Sequence, residues 1–502
     1  MNKQHVVVIG GGLGGLSAAI SLAQSGYNVS LFEKNSHFGG KLNTLSQDGF
    51  NFDLGPSILT MPHIFEALFT RSGRRMPDYL TIQRLDLEWR SFFPDGSMID
   101  LYGDLDRMAE ANPTLSAEDM ADYRRFLDYA GQLYDLTEAG YLSDQGLDTM
   151  GDVLRRHGVV GALQGFDYFS GMFDAIAKYV RHPHLRDMLA YFIKYVGSSP
   201  YDAPAVLNMM IAMQQRQGVW YVPGGMLGIA AALVRLADEL GVSLNAGQEV
   251  VELVRGKRQS IRAARLSDGR EISAELFVSN MEVIPASRQL LHEPERRIRR
   301  LDRFEPACSG LVLHLGVDRL YPQLAHHNFF FSADPRQHFE TVFRKHQLPE
   351  DPTLYVVNVS KTDPAQALPG HENIKILPHI PYLQNQPFSR DDYLQLRNRV
   401  LVKMERMGIT DLRQHIVTED MWTPEDIRQN YYSDRGAIYG VVSDRIANHG
   451  FKHPKRSRWY RNLYFVGGTV NPGGGMPMVT RSGQQTANLI AADWPVRTGP
   501  VV

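Results

Sequence analysis

A single cysteine, Cys308, stands in a chain of 502 residues. One thiol can form no internal disulfide and no multi-cysteine metal centre, so Cys308 reads as a packing residue in a reducing compartment. Charge of one sign is equally scarce: 53 Lys and Arg face 55 Asp and Glu, a formal net charge of −2. No overall field is available to hold nucleic acid, and a charged partner would have to be met by a local patch. Long apolar runs are missing too. No stretch reaches the roughly 18 residues of a spanning helix, and the segment from Ala203 to Met213 is short and carries Asn208. The first residues lack a basic, apolar and cleavable leader, which sets the expectation of a cytoplasmic protein that meets a membrane only at its inner surface. There is no internal repeat, and only residues 497–502 read as a loose tail.

What is present suits two domains with substantial cores: 43% of the residues are hydrophobic and 22% charged. The N-terminus carries the sharpest pattern. His5 to Ile9 reads as a buried parallel strand, and Gly10, Gly12 and Gly15 follow in G-x-G-x-x-G order, with Leu13 and Gly14 inside the turn. A helix then runs to Gln24, Gly26 stops it, and a second strand from Asn28 to Phe32 ends on Glu33, with Lys34 next. A helix N-terminus attracts a pyrophosphate and a carboxylate at the second strand's end takes ribose hydroxyls, so the set predicts a dinucleotide site. The glycines alone would predict no more than a tight strand-to-helix turn.

Later blocks narrow the nucleotide. Gly39-Gly40-Lys41 and then Gly55-Pro56-Ser57 follow Glu33, an extension that resembles FAD enzymes of the glutathione-reductase-like superfamily. Residues 227–240 read as a helix, residues 247–254 as a strand whose Val250 matches the position where that superfamily offers backbone groups to adenine, and residues 262–274 as a hairpin turning at Asp268-Gly269. Near the C-terminus, a strand ending in Gly467-Gly468 precedes Gly473-Gly474-Gly475-Met476-Pro477 and a helix to about Ile490. Three glycines leave room for a planar ring, Pro477 suits a first helical turn, and the helix would direct its positive end at that ring.

These three blocks, together with Trp89 to Gly96, Tyr191 to Ala205, Tyr321 to Phe331 and Arg435 to Gly440, resemble the bacterial carotenoid oxidases of the phytoene-desaturase and amine-oxidase superfamily along nearly the whole chain. The resemblance implies an α/β fold: a discontinuous FAD-binding Rossmann-like domain over 1–99, 223–299 and 456–495, and an α+β substrate domain over 100–222 and 300–455. It implies non-covalent FAD and oxidation of the terminal methyl of a C30 carotenoid, 4,4'-diaponeurosporene or diapolycopene, to an aldehyde. An apocarotenoid desaturase of the diapophytoene type, a soluble amine oxidase and a prenyl- or polyene-binding escort protein are the alternatives. The implied partners are a hydrophobic polyene, a membrane surface and other enzymes of the carotenoid pathway, and no nucleic acid.

Tyr195, Ser199 and Tyr201 are expected along the substrate tunnel by the same resemblance. His326, His327 and Arg481 are weak catalytic candidates. Adjacent histidines on a strand point to opposite faces and no carboxylate is spaced to complete a site, so no metal is expected. Between Arg155 and Tyr221, aromatic residues including Tyr168 are interleaved with Arg155, Arg156, Lys178, Arg181, Arg186 and Lys194. This mixture fits either a core with a solvated face or helices docked on a bilayer.

Overall fold

The apolar run His5–Ile9 forms a strand whose valines are fully buried, as a central parallel strand requires. Around it lies a five-stranded parallel sheet in the order Leu463–Phe465, Leu276–Ser279, His5–Ile9, Asn28–Glu33, Ser243–Ala246. Its strands come from the start, middle and end of the chain, where the glycine-bearing blocks lie. The helix Leu13–Gln24 is buried along most of its length because it packs against both the sheet and the helix Met476–Asp493. Gly483 permits that approach, since a Cβ there would lie 2.6 Å from the Ala18 nitrogen. The helix Leu227–Glu239 packs beside it, and Val250–Arg255, Ile261–Leu266 and Glu271–Ser273 form an antiparallel meander with the expected tight turn. The computed structural model describes residues 3–167, 169–301, 304–446 and 448–496, with backbone alone for 159–165; Tyr168 and the tail 497–502 lie outside the described residues.

A second, eight-stranded sheet carries the other half of the molecule. Its path runs Ile416–Trp422, Val312–Val317, Glu372–Ile380, Leu354–Val357, His327–Phe330, Leu87–Phe92, Met98–Tyr102, with Ser309–Gly310 pairing separately along Glu372–Ile380. Here the structure corrects the boundary expected at 99/100. Leu87–Phe92 and Met98–Tyr102 are an antiparallel pair, and the former lies parallel to His327–Phe330, so the boundary cuts a strand of the second sheet. Alternating residues announce a strand but not its partner, which here lies more than two hundred positions away. The second sheet therefore begins at Leu87.

The insert helices start where local chemistry directs them. Ser116, Thr149, Ser389 and Thr423 each share a reciprocal capping box with the aspartate three residues on. Such a cap stabilises a helix start by about 1 kcal/mol. Among the described residues, no helix is long and apolar enough to cross a membrane.

Candidate functional site

A cavity opens beyond the C-terminal ends of the parallel strands. All the residues expected around a dinucleotide line it except Gly15 and Pro477. Gly15 acts from behind: a Cβ there would lie 2.0 Å from the Gly10 carbonyl oxygen, so only glycine lets the turn close. The helix Leu13–Gln24 has no side-chain cap at Gly12, which leaves its first N–H groups for an anion. Glu33 accepts hydrogen bonds from Gly11 N at 2.7 Å and Asn35 N at 2.9 Å, one on each oxygen. Each oxygen keeps a second lone pair, enough for the ribose hydroxyls. Lys41 is engaged by the Ile438 carbonyl at 3.1 Å and by Glu282 at 3.7 Å.

Several residues that hold this cavity were not singled out from sequence. Asn280 follows Leu276–Ser279, and its amide lies where a Cβ on Gly12 or Gly14 would fall, 2.8 and 2.6 Å away. Lys375 projects from Glu372–Ile380 and donates to the Asp53 and Gly55 carbonyls at 2.8 and 2.7 Å and to Ser57 Oγ at 2.5 Å. Burial pulls its ammonium down to about 8, against the attraction of Asp53, whose own carboxyl burial pushes up. A lysine between two isoleucines was the signal that could have revealed it.

A second cavity, predominantly apolar, adjoins the first. Pro56, Ser57, Tyr355, Tyr439, Gly474, Gly475 and Met476 line both. At this shared wall Gly474 has no room for a side chain: a Cβ would lie 2.7 Å from the Tyr439 carbonyl oxygen. Gly475, at φ +97°, caps the helix Met476–Asp493 without a side chain, so the helix start faces the junction. Pro477 lies in its first turn and lines the apolar side. Away from the wall the lining includes Leu147, Met150, Val153, Phe166, Val206 and Leu207.

Two polar systems sit among these apolar surfaces. Tyr195, which lines the apolar cavity, donates to Gln214 Oε1 at 2.7 Å, and Gln214 Nε2 donates to Glu88 at 2.7 Å. Burial pushes the Glu88 carboxyl up to about 7. Lys194 is the other. Grouped on sequence with basic residues of a solvated or membrane-facing surface, it is instead 4% exposed, and its Nζ lies 4.3–4.8 Å from the ring centroids of Trp89, Tyr195, Phe329 and Tyr355. No hydrogen-bond acceptor reaches this nitrogen. Burial lowers its pKa well below the ordinary value. Four aromatic faces oppose that shift by about 1 kcal/mol each, whereas removing an ammonium from water costs several kcal/mol or more.

Other expected residues lie elsewhere. Ser199 borders a separate small cavity with Cys308, and Tyr201 packs between Phe173 and Phe339. Arg481 lines neither cavity, donating to the Leu142 carbonyl at 2.7 Å and pairing with Asp144 at 2.9 Å. His326 and His327 line neither cavity. His326 contacts Thr362 Oγ1 at 2.7 Å, and His327 contacts the Tyr355 hydroxyl at 3.0 Å. Their rings are 4.4 Å apart rather than on opposite faces, because His326 precedes the strand His327–Phe330 and escapes its alternation. Among the described residues no three His, Cys, Asp or Glu are grouped to hold a metal ion.

Comparison with known proteins agrees with this geometry. The chain is 55% identical over 98% of its length to 98% of a Staphylococcus haemolyticus protein named 4,4'-diaponeurosporene oxygenase. It is 54% identical over 97% of its length to 98% of the protein of that name from Staphylococcus aureus strain USA300. Among solved structures, a putrescine oxidase with putrescine bound superposes with a TM-score of 0.64 at 15% identity, covering 98% of this chain and 99% of its own, a likeness of fold alone. Residues 13–491 match the family described as flavin containing amine oxidoreductase, and with the dinucleotide cavity built from the start, middle and end of that span, the chain belongs to this family of flavoproteins.

Proposed function

We propose that this protein oxidises the terminal methyl of a C30 carotenoid, 4,4'-diaponeurosporene or diapolycopene, to an aldehyde, using non-covalently bound FAD. One observation carries the reading: an apolar cavity shares a wall with the dinucleotide cavity in a chain 55% identical, end to end, to a 4,4'-diaponeurosporene oxygenase. The uncapped start of Leu13–Gln24 would take the pyrophosphate, Glu33 the ribose, and Gly474-Gly475 the edge of the flavin ring. Among the described lining residues of that cavity there is neither cysteine nor histidine to tether a flavin.

FAD supplies the acceptor for hydrogen removed from an allylic terminal carbon. The protein's share is placement. A polyene has no charged handle, so the apolar lining directs one end to the shared wall and excludes water there. Met150, Met209, Met210, Met213, Met476 and Met478 give that lining thioethers that adapt to a long rigid chain. The four-ring cage, which would otherwise attract an amine substrate, is filled by the chain's own Lys194.

Substrate of this kind resides in a bilayer. Phe169 is 76% exposed and Ile446 80%, and Arg445 donates to the Phe169 carbonyl at 2.7 Å, which brings the two apolar side chains into one surface region. Leu154 is exposed on the same helix whose Val153 lines the cavity, beside exposed Arg155 and Arg156. Apolar anchors with basic neighbours suit an anionic membrane surface at the cavity's mouth.

The test is to supply FAD-loaded protein with diaponeurosporene in lipid vesicles under air. The expected product gains one oxygen, loses two hydrogens per modified end and reacts with hydroxylamine. A product that only loses hydrogen would move the protein to the desaturases.

A further inference from the structure

Five lysines are buried among the described residues, and four are engaged. Lys375 meets Ser57 and two carbonyls, Lys403 meets Asp351, Lys452 the Val441 carbonyl, and Lys455 meets Asp148. Lys194 alone has no hydrogen-bond partner at Nζ, and it lines the apolar cavity. Its place along that cavity is given by Tyr355, a residue of the shared wall, whose ring centroid lies 4.8 Å from Nζ. The amine thus belongs to the end of the cavity that meets the shared wall, where the substrate's reacting end would lie.

A buried polar group without a partner is destabilising, and a methionine would fill the same space without that burden. A bound hydrocarbon does not relieve it, because a polyene has neither donor nor acceptor. Oxidation of the terminal carbon does. A conjugated aldehyde presents an acceptor oxygen and an electrophilic carbon, and burial, which lowers the Lys194 pKa well below its ordinary value, favours the neutral, nucleophilic form of the amine.

We propose that Lys194 condenses with the terminal aldehyde of the polyene to form an imine. The Nζ lone pair adds to the carbonyl carbon, a carbon–nitrogen double bond replaces the carbon–oxygen one, and the oxygen leaves as water with the two amine hydrogens. No electrons change hands, and water reverses the step. The inference rests on the proposed oxidation as the source of the aldehyde. Its consequence is retention: the oxidised end stays tethered until it is hydrolysed, and a reaction that consumes aldehydes must wait for that release.

To test it, the FAD-loaded full chain is given the chemically prepared C30 polyene aldehyde in vesicles, treated with cyanoborohydride while native, and digested for peptide mass analysis. The expected result is a reduced polyenyl adduct on the peptide holding Lys194, and none on Lys375, Lys403, Lys452 or Lys455. Lys194→Met and Lys194→Arg should bind the aldehyde yet lose the adduct, the arginine variant because a guanidinium keeps the charge without the nucleophile. Acidification should red-shift the bound chromophore in the wild type only. Aldehyde retained through gel filtration with no adduct at Lys194, or no aldehyde retained at all, overturns the proposal; the wild-type map alone is decisive should a variant fail to fold. A parallel incubation with the hydrocarbon under air separates the two readings. Free aldehyde formed without an adduct removes this inference and leaves the oxidation, whereas an adduct from supplied aldehyde with no oxidation does the reverse.

Discussion

The two cavities meet at one wall but are built from different material. The dinucleotide cavity is rich in glycines and has a helix N-terminus and three glutamates in its lining, of which Glu33 has both oxygens already engaged by N–H groups. The apolar cavity is made of side chains, most of them replaceable by others of similar size, around one amine that nothing pairs. A backbone site fails when an atom is added, because main chain has nowhere to go. A side-chain site can shift instead. The difference should appear in how each region responds to insult.

Acid separates them most strongly. His326 and His338 are held down to about 3 and His379 to about 4 by burial, and all three lie in the substrate half. Below about pH 6.5 the unfolded chain binds protons that the folded chain refuses, so stability falls as pH drops from about 6.5 towards 4, by up to roughly 3 kcal/mol per histidine. Glu88 works in the opposite sense: with its carboxyl raised to about 7, the folded state binds the extra proton, and stability declines as pH rises from about 4.5 to 7. Urea denaturation followed against pH should show a net acid loss that begins in the second sheet, steeper in Glu88→Gln. A flat profile would contradict it.

Single substitutions follow in decreasing order. Gly15→Val should weaken flavin binding by about 3 kcal/mol or more, over a hundredfold, because its Cβ would occupy the space of the Gly10 carbonyl; flavin absorbance of the purified protein reads this directly. Glu33→Ala removes an acceptor used by Gly11 and Asn35 and should cost about 1–3 kcal/mol of flavin-cofactor affinity, measurable by fluorescence titration. Leu207→Trp, on the apolar side, should leave flavin content unchanged while lowering kcat/KM for the polyene roughly tenfold. An equal loss of flavin would break the distinction between the cavities. Ser116→Ala, far from both, should remove about 1 kcal/mol of stability and no activity.

The same distinction explains what could be read in advance. Glycines at fixed spacing, a buried strand and a terminal acid are local constraints on backbone, and nearly all the residues they point to line one cavity. Side chains that meet across the fold leave no such trace. Tyr201 and Tyr195 stand six residues apart with similar surroundings in sequence, yet only Tyr195 reaches the cavity. The pairing of Leu87–Phe92 with His327–Phe330 is equally silent in the chain, which is why the domain boundary was set within a strand. Lys194 and Lys375 did leave a mark, each a lone charge inside an apolar stretch, but that pattern says only that a lysine is out of place and not what it touches.

The strand order of the parallel sheet also bears on how the molecule comes into being. Leu463–Phe465 docks on Leu276–Ser279, and the segment from Gly467 to Met476 that follows closes the cofactor's side and the wall between the cavities. During synthesis the first strand emerges more than four hundred residues before these pieces exist. Until then Leu276–Ser279 presents an unpaired edge, which invites association with other chains. The nascent protein therefore completes its flavin site only when the helix Met476–Asp493 folds down onto Leu13–Gln24.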